Sequence, residues 1–369
     1  MTDTKIFKSR LVNENFTDTP FDDFPTLFAY NELLKKNLIV WKNRIDNERR
    51  WDNAKKYTNK YEFIFSLNNE GVADVIPISR SYFKMIEILT DFDFKRTTPI
   101  KCACLCEGPG GFVQAINDYA TTRGLLLERI ECISLMSPDK KVPDWKLGST
   151  SNYRIGYGYD GTGDIYKLNN IDHFCENTGE HSCDLVTADG GFDFSQDFNS
   201  QEKSFVRMFV AEMYMCVRLQ KGDGMCVIKA FDLFRKDTIS IIAILLKFYS
   251  NVDFVKPKSS RPANSEKYLV CSGFSRNDEL TNRLRQLFVT GSFRYDDIVS
   301  ESEYEVANRL VSVFNVKFVN NQIHNIQYTL ESIQDKVHFD HKNNEKHKEA
   351  CIEWCNKYKI PIKKHFTRR

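Results

Sequence analysis

The sequence contains no apolar run long enough to cross a bilayer. Its longest such stretch, residues 239–246, is far shorter than the roughly 20 residues that a membrane-spanning helix needs. The first five residues are polar and lack the apolar segment of a secretory signal. We therefore expect no membrane partner and a cytoplasmic location, with a nuclear location as the alternative.

The sequence also has little net charge. Its 52 Lys and Arg residues nearly balance its 50 Asp and Glu residues, which leaves +2. A nucleic-acid partner therefore has to be inferred from local patches rather than from the overall charge. With 41% hydrophobic and 28% charged residues, the chain of 369 residues is globular rather than disordered.

Paired C-x₂-C spacing is missing from the eleven cysteines. With no secretory signal, this cysteine content favours a reducing compartment. His347, Cys351 and Cys355 have helical i, i+4, i+8 spacing, so a zinc site is the alternative to a buried helix face there. Because the paired spacing of zinc ligands is missing, no metal is predicted.

Strands and helices alternate through the middle of the chain. The predicted strands are residues 100–106, 129–136, 184–188, 224–229 and 268–272, and the predicted helices are residues 79–89, 112–121, 202–219 and 238–248. This alternation predicts an α/β fold with a mostly parallel sheet and helices on both faces. Ligands of such sheets bind beyond the carboxyl ends of the strands.

The two ends of the chain have a different character. Helical spacing over residues 31–60 predicts a helical N-terminal extension over residues 1–76, ahead of a domain at residues 77–275. Residues 276–369 are predicted to be helical, and they end in a basic tail that either contacts RNA or is a disordered end.

A glycine-rich turn joins a predicted strand to a predicted helix. It reads Glu107-Gly108-Pro109-Gly110-Gly111-Phe112. Its glycines allow positive φ and a close approach to a ligand, and the Glu107 carboxylate suits a cationic or hydroxylated group. These features fit S-adenosylmethionine better than a dinucleotide, because no G-x-G-x-x-G is present. An ordinary tight turn is the alternative.

Four charged residues lie at the ends of predicted strands or beside the glycine turn, where ligands of such folds bind. Asp189 and Lys229 end two apolar strands, Glu266 precedes a third, and Lys84 lies on the helix before the glycine turn. A lysine that closes an apolar run is costly to bury unless it is paired or used. Each residue alone also fits a turn or a solvated surface, whereas the ordered set is harder to explain in that way.

In this order, these motifs resemble the FtsJ-like RNA ribose 2′-O-methyltransferases. The family's Ser-Arg-x-x-Phe-Lys pattern matches Ser79-Arg80-Ser81-Tyr82-Phe83-Lys84, and its Ser-Ser-Arg…Glu-x-Tyr pattern matches residues 259–268. The glycine motif, Asp189 and Lys229 supply the remaining matches. The resemblance covers residues 77–275, roughly half of the chain.

The resemblance implies a Rossmann-like class I methyltransferase fold with S-adenosylmethionine as the methyl donor. It implies a catalytic tetrad of Lys84, Asp189, Lys229 and Glu266. The implied cofactor-binding residues are Glu107, Gly108, Pro109, Gly110, Gly111, Phe112, Asp164 and Asp189, with Asp164 on the adenine amino group. The chain departs from many class I methyltransferases after its second strand, where no carboxylate occurs before Asp139.

The tetrad leaves two roles open for Lys229. As a base it would need a pKa well below its ordinary value of about 10.4. Burial and the Lys84 ammonium would lower that pKa, whereas Asp189 and Glu266 would raise it. Alternatively, Lys229 only steers the hydroxyl.

The flanking segments resemble those of cap-specific members of the family, viral ones included. The similar stretches are residues 51–63 and 188–195. This predicts an mRNA cap 2′-O-methyltransferase acting on 5′-capped mRNA, with a partner in a capping or transcription complex. Arg49, Arg50, Lys55, Lys56, Arg80 and Arg261 are the predicted RNA contacts. For the basic residues 49–56, a solvated helix face is the alternative.

Two other functions remain compatible with the sequence. One is 2′-O-methylation of structural RNA, such as ribosomal or transfer RNA. The other is a non-catalytic RNA-binding subunit with the same fold. The intact tetrad argues against the second, because a binding subunit has no need of Lys229 at a strand end.

Overall fold

The structure is a computed structural model that describes residues 5–7, 24–46, 48–66, 71–148, 152–191, 201–291, 295–335 and 345–366. The helices are α1 (Phe24–Asp46), α2 (Trp51–Tyr57), α3 (Ser81–Asp91), α4 (Gly111–Arg123), α5 (Leu168–Thr178), α6 (Gln201–Leu219), α7 (Lys236–Phe248), α8 (Asp278–Thr290), α9 (Glu301–Gln334) and α10 (Glu345–Tyr358). The strands are β1 (Lys5–Phe7), β2 (Ile100–Leu105), β3 (Leu127–Ile133), β4 (Tyr153–Gly156), β5 (Cys183–Ala188), β6 (Gln220–Ala230), β7 (Tyr249–Lys256) and β8 (Lys267–Phe274).

The eight strands form one sheet in the order β1-β7-β8-β6-β5-β2-β3-β4. Strands β4, β3, β2, β5 and β6 run parallel, whereas β8, β7 and β1 pair antiparallel. From β2 the chain continues to β3 and β4 on one side of β2, and then crosses back to β5, which pairs with β2 on its other side. Between those two strands lies the point where open α/β sheets bind their ligands.

Helices cover both faces of the sheet, as the alternating pattern predicted. The larger hydrophobic core lies under α5, α6 and α7, and α8 and α9 extend it. The second core lies under α3, α4 and α10. Strand β5 is buried along its whole length, which explains its apolar sequence. The predicted α/β fold is thus confirmed, with a helical C-terminal region packed on it.

The N-terminal segment packs on the C-terminal one. Leu34 and Leu38 of α1 and Trp51 of α2 are buried against Val319 and Ile326 of α9. Strand β1 also pairs with β7 at the edge of the sheet, so this segment is not purely helical. Within the described ranges, no helix combines the length and apolar character needed to span a membrane.

Candidate active site

The four predicted tetrad residues meet at the carboxyl edge of the parallel strands. Asp189 directly follows β5, Lys229 is the penultimate residue of β6, and Glu266 directly precedes β8. Lys84 reaches them from α3. Two contacts tie the four side chains together in pairs, one between Lys229 and Asp189 and one between Lys84 and Glu266.

Lys84 and Glu266 form a close, largely buried ion pair. The Lys84 Nζ lies 2.7 Å from Oε1 and 2.8 Å from Oε2 of Glu266. The Ser260 hydroxyl donates to Glu266 Oε1 at 2.8 Å. Burial alone would raise the pKa of Glu266, but the ammonium groups of Lys84, Lys229 and Lys256 lower it well below its ordinary value. Glu266 is therefore ionised throughout the physiological range.

Lys229 contacts both the backbone carbonyl and the side-chain carboxylate of Asp189. Its Nζ donates to the Asp189 carbonyl oxygen at 2.8 Å and lies 3.1 Å from Asp189 Oδ1. The Tyr268 hydroxyl donates to the same Oδ1 at 2.9 Å. Burial pulls the pKa of Lys229 down, but the charges of Asp189 and Glu266 outweigh it and raise the pKa above 10.5. Of the two opposing influences named from the sequence, the carboxylates prevail, and Lys229 rests as an ammonium.

The glycine turn lines the same site through Gly108 and Pro109. Glu107 is buried, its Oε1 accepts the Phe112 N–H at 2.7 Å, and its Oε2 has no hydrogen-bond partner among the described residues. Gly110 has a φ of +115°, a backbone conformation that residues other than glycine rarely adopt, and α4 starts at the next residue. Burial and the nearby Asp189 raise the pKa of Glu107 well above its ordinary value. An unpartnered carboxyl oxygen beside an open backbone turn suits a ligand with hydroxyl or ammonium donors.

A cleft of about 790 Å³ lies between the glycine turn and the tetrad. Gly108, Pro109, Asp164, Asp189, Lys229 and Glu266 line it, so it combines predicted cofactor-binding and catalytic residues. A pocket of this size is typical of small-molecule and cofactor sites.

Asp164 lies in a tight turn at the rim of this cleft. Its Oδ1 accepts the Tyr166 N–H at 2.8 Å, and Asp160 fixes the turn by accepting from Thr162 and Asn170. A Cβ at Gly163 would lie only 1.9 Å from the Ser134 carbonyl oxygen, so the turn packs directly on the end of β3. Asp139, the first carboxylate after that strand, also lines the cleft. It is a candidate for the group that holds a ribose.

Several lining residues had no role assigned from the sequence. Cys106, Leu135, Tyr166, Met208 and Phe231 line the cleft. None of them belongs to a charged motif, so no sequence signal separates them from ordinary core residues. Tyr268 belongs to the Glu-x-Tyr motif, so the sequence marked it as a candidate site residue, but its contact with Asp189 was not predicted.

The predicted RNA-contacting residues fall into two groups. Arg49, Arg50 and Lys56 are exposed at or near α2, and Lys55 pairs with Asp52 at 2.5 Å. Arg80 and Arg261, in contrast, are both engaged with the Glu62 carboxylate. Arg49, Arg50 and Lys56 are therefore open to solvent, whereas the side chains of Lys55, Arg80 and Arg261 are at most 25% exposed and each is paired with a carboxylate.

The metal alternative finds no support in the described ranges. No group of three or more His, Cys, Asp or Glu side chains there is arranged to hold a metal ion. Cys351 and Cys355 are buried in the core under α10, and His347 packs on Phe63. Residues 192–195, part of a stretch similar to cap-specific relatives, lie outside the described residues.

A family model described as FtsJ-like methyltransferase matches residues 77–274, more than half of the chain. The chain belongs to this family, and the resemblance inferred from its motifs is confirmed. The matched segment holds the glycine turn, all four tetrad residues and Asp164.

Curated relatives carry a narrower description, cap-specific mRNA (nucleoside-2′-O-)-methyltransferase 1. The protein of Trypanosoma brucei brucei is 39% identical over 173 residues, 46% of this chain and 46% of that protein. The protein of Leishmania braziliensis is 34% identical over 198 residues, which are 52% of this chain and 49% of that protein. The protein of Homo sapiens is 32% identical over 179 residues, which are 46% of this chain and 21% of that protein. The chain thus spans half or less of the length of these relatives.

Proposed function

We propose that this chain uses S-adenosylmethionine to methylate a ribose 2′-hydroxyl of the RNA nucleotides next to an mRNA 5′ cap. The observation that carries the proposal is that Asp189, Lys229 and Glu266, the last paired with Lys84, line the same cleft as Gly108 and Pro109 of the glycine turn. The descriptions of the curated relatives support the choice of capped RNA.

The residues around the cleft fit S-adenosylmethionine. Glu107 has a buried carboxyl oxygen without a hydrogen-bond partner among the described residues, which suits hydroxyl or ammonium donors. Gly108 and Pro109 of the glycine turn line the cleft, and Asp164, which also lines it, is the residue we assign to the adenine amino group. When bound, this cofactor supplies a methyl group already activated on a sulfonium. The chain itself has mainly to orient the acceptor oxygen and manage its proton.

We assign to Lys229 the role of orienting that oxygen. Two of its three N–H hydrogens are directed to the Asp189 carbonyl and carboxylate, which leaves one for an acceptor oxygen in the cleft. To take the hydroxyl proton, Lys229 would first have to lose one of its own, and Asp189 and Glu266 oppose this by raising its pKa. We therefore favour steering by an ammonium over base catalysis.

For the RNA, exposed cations near α2 are the proposed phosphate contacts. Arg49, Arg50 and Lys56 are exposed, although Arg50 also pairs with Glu48, and Lys55 lies beside them with its charge paired to Asp52. Basic side chains of this kind fix the position of the backbone rather than read its sequence. Association with a capping or transcription complex stays a prediction.

The test is methyl transfer from labelled S-adenosylmethionine to two RNAs that differ only at the 5′ end, one with a methylguanosine cap and one with a triphosphate. The proposal expects transfer to the capped RNA at a rate at least about tenfold higher. Equal transfer to both would replace capped mRNA by an internal or structural RNA as the substrate. No transfer with the cofactor bound would contradict the enzymatic proposal.

A further inference from the structure

Glu62 lies between two arginines, Arg80 and Arg261, each of which shortly precedes a tetrad residue in the sequence. Its carboxylate accepts from Arg261 through Nε at 3.1 Å and Nη2 at 2.7 Å, a two-pronged contact. Arg80 Nη2 lies 3.5 Å from Glu62 Oε2, and Arg80 Nη1 donates to the Glu62 carbonyl oxygen at 3.2 Å. The Glu62 side chain is only 14% exposed, so the contact is not a loose surface pair.

The same two arginines lie directly beside tetrad residues. Arg80 and Lys84 lie one helical turn apart, at the start and in the first turns of α3, and so project on the same side. Arg261 follows Ser260, whose hydroxyl donates to Glu266. Glu62 is therefore linked to Glu266 through Arg261 and its chain neighbour Ser260, and to Lys84 through Arg80, one turn earlier on the same helix.

A second carboxylate anchors the other side of this segment. Glu87, one turn after Lys84 on α3, accepts the backbone N–H groups of Lys258 and Ser259 at 2.7 Å each. Arg80 Nη2 also lies within 3.5 Å of the Ser259 carbonyl oxygen. The segment that carries Glu266 is thus held by α3 on one side and by Glu62 on the other.

We propose that Glu62, Arg80 and Arg261 form a positioning unit that holds Glu266 and Lys84 in place for the methyl transfer proposed above, and that the two arginines are not phosphate contacts. Arg80 is directed to the Glu62 carboxylate and to backbone carbonyl oxygens, and Nε and Nη2 of Arg261 are directed to the Glu62 carboxylate. Through Glu62, the N-terminal segment contributes a side chain to this unit and contacts the catalytic domain at Arg80 and Arg261.

The variant Glu62→Gln separates positioning from RNA contact, because the two roles predict opposite changes. If the unit positions the tetrad, removing the charge loosens Glu266, and kcat falls about ten- to a hundredfold while the RNA dissociation constant changes less than about twofold. If the arginines bind phosphate, removing the carboxylate frees them, and RNA binds more tightly with kcat retained. The second result would overturn the proposal.

Arg261→Gln gives an independent measurement that needs no turnover. A lost phosphate contact would reduce the slope of log affinity against log salt by about 0.7 for single-stranded RNA, whereas loss of a positioning residue leaves that slope unchanged. The double variant Glu62→Gln/Arg261→Gln should lose no more kcat than the worse single variant, because the residues act as a unit. Additive losses would contradict the unit.

The controls separate this inference from the proposed function. Glu279→Gln breaks an exposed pair with Arg283 on α8 and should change neither kcat nor RNA affinity. Thermal unfolding verifies that each variant is folded. The variants are compared on whichever RNA the wild type methylates, so failure on capped RNA would contradict the proposed function, whereas an unaltered kcat in Glu62→Gln would contradict the positioning unit.

Discussion

At the scale of single residues, Glu266 and Glu212, two of the buried glutamates around Lys229, are in opposite protonation states. Glu266 is surrounded by ammonium groups and is ionised. Glu212, on α6, accepts the Gly190 N–H at 3.0 Å with Oε1, and its buried Oε2 has no hydrogen-bond partner among the described residues. Burial raises the pKa of Glu212 to about 8, against the lowering influence of Lys229. One carboxyl group thus carries charge at neutral pH, while the other beside the same lysine does not.

Lys229→Ala is expected to abolish methyl transfer, at least about a hundredfold in kcat, because Lys229 is the donor that we propose orients the acceptor oxygen. Cofactor affinity should survive, since Lys229 touches the tetrad rather than the glycine turn. Single-turnover rates and isothermal titration with S-adenosylmethionine measure the two quantities. Retained turnover in this variant would contradict the assignment of Lys229.

Glu212→Gln tests the protonation of the buried carboxyl group. The folded protein keeps this proton up to about pH 8, whereas the unfolded chain loses it near 4.5, so wild-type stability falls as pH rises between those values. The glutamine keeps an acceptor for Gly190 but has no proton to lose. The variant should therefore gain stability relative to wild type over that range, by at most about 1.4 kcal/mol per pH unit.

Urea unfolding at several pH values between about 5 and 9 measures this difference. The difference should be level above about pH 8, where both folded and unfolded wild type are ionised at Glu212. Glu279→Gln on the exposed face of α8 is the control and should give a constant difference. A constant difference for Glu212→Gln as well would show that this carboxyl group is ionised in the folded protein.

The tetrad could be predicted from the sequence because each member has a local signal. Asp189 and Lys229 end apolar strands, and Lys84 and Glu266 lie in short motifs. The partners of these residues have no such signal. Glu212 lies inside a buried helix, and Glu62 meets Arg261 across 199 residues of sequence. Such pairings depend on the packing of distant segments, which a single sequence does not specify.

At the scale of elements, the strand ends and turns determine the shape of the cleft. The predicted strands overlap β2, β3, β5, β6 and β8, although β3 ends three residues earlier than predicted and β6 begins four residues earlier, in the polar stretch of residues 220–223. Strands β4 and β7 were not predicted. Strand β4 has four residues, Tyr-Arg-Ile-Gly, with one aliphatic side chain, and β7 begins directly after α7 without a turn residue to mark its start. Pairing with neighbours, rather than local pattern, makes these segments strands.

The turn at Asp164 offers a matched pair of glycine substitutions. Gly161 and Gly163 both have positive φ, at +77° and +67°, but a Cβ at Gly161 meets nothing within 4 Å whereas one at Gly163 would collide with the Ser134 carbonyl oxygen. Both alanine variants carry a backbone cost of about 1–3 kcal/mol. Only Gly163→Ala must also displace the turn from β3.

We therefore expect Gly163→Ala to weaken S-adenosylmethionine binding at least about tenfold and Gly161→Ala to change it less than about threefold, since the displaced turn carries Asp164. Titration calorimetry measures both dissociation constants. Equal effects of the two substitutions would indicate that close packing of this turn on β3 is unimportant for the cofactor.

At the scale of the whole molecule, the N-terminal segment is tied to the catalytic domain by a buried ion pair. Lys42 of α1 lies 2.5 Å from Asp232, three residues after Lys229, and both side chains are at most 10% exposed. Burial raises the pKa of Asp232, but the charges of Lys42 and Lys267 bring it below its ordinary value. Removing one partner would leave a buried charge uncompensated.

Lys42→Met should accordingly destabilise the protein by about 3 kcal/mol, because Lys267, 4.0 Å from Asp232, compensates only in part. Lys36→Met, on the exposed side of the same helix, should stay within about 0.5 kcal/mol of wild type. Denaturant unfolding measures both. If the two variants are equally stable, the Lys42–Asp232 pair does not hold α1 to the domain.

The central claim is that the tetrad directs a methyl group to a ribose 2′-oxygen. Capped RNA with 2′-deoxyribose at the first and second transcribed nucleotides tests it most directly, beside an otherwise identical RNA with both hydroxyls. We predict methylation of the all-ribose RNA and none of the RNA with 2′-deoxyribose at both positions, and the two singly substituted RNAs identify the acceptor nucleotide. Equal labelling of both RNAs would place the methyl group elsewhere and contradict the account.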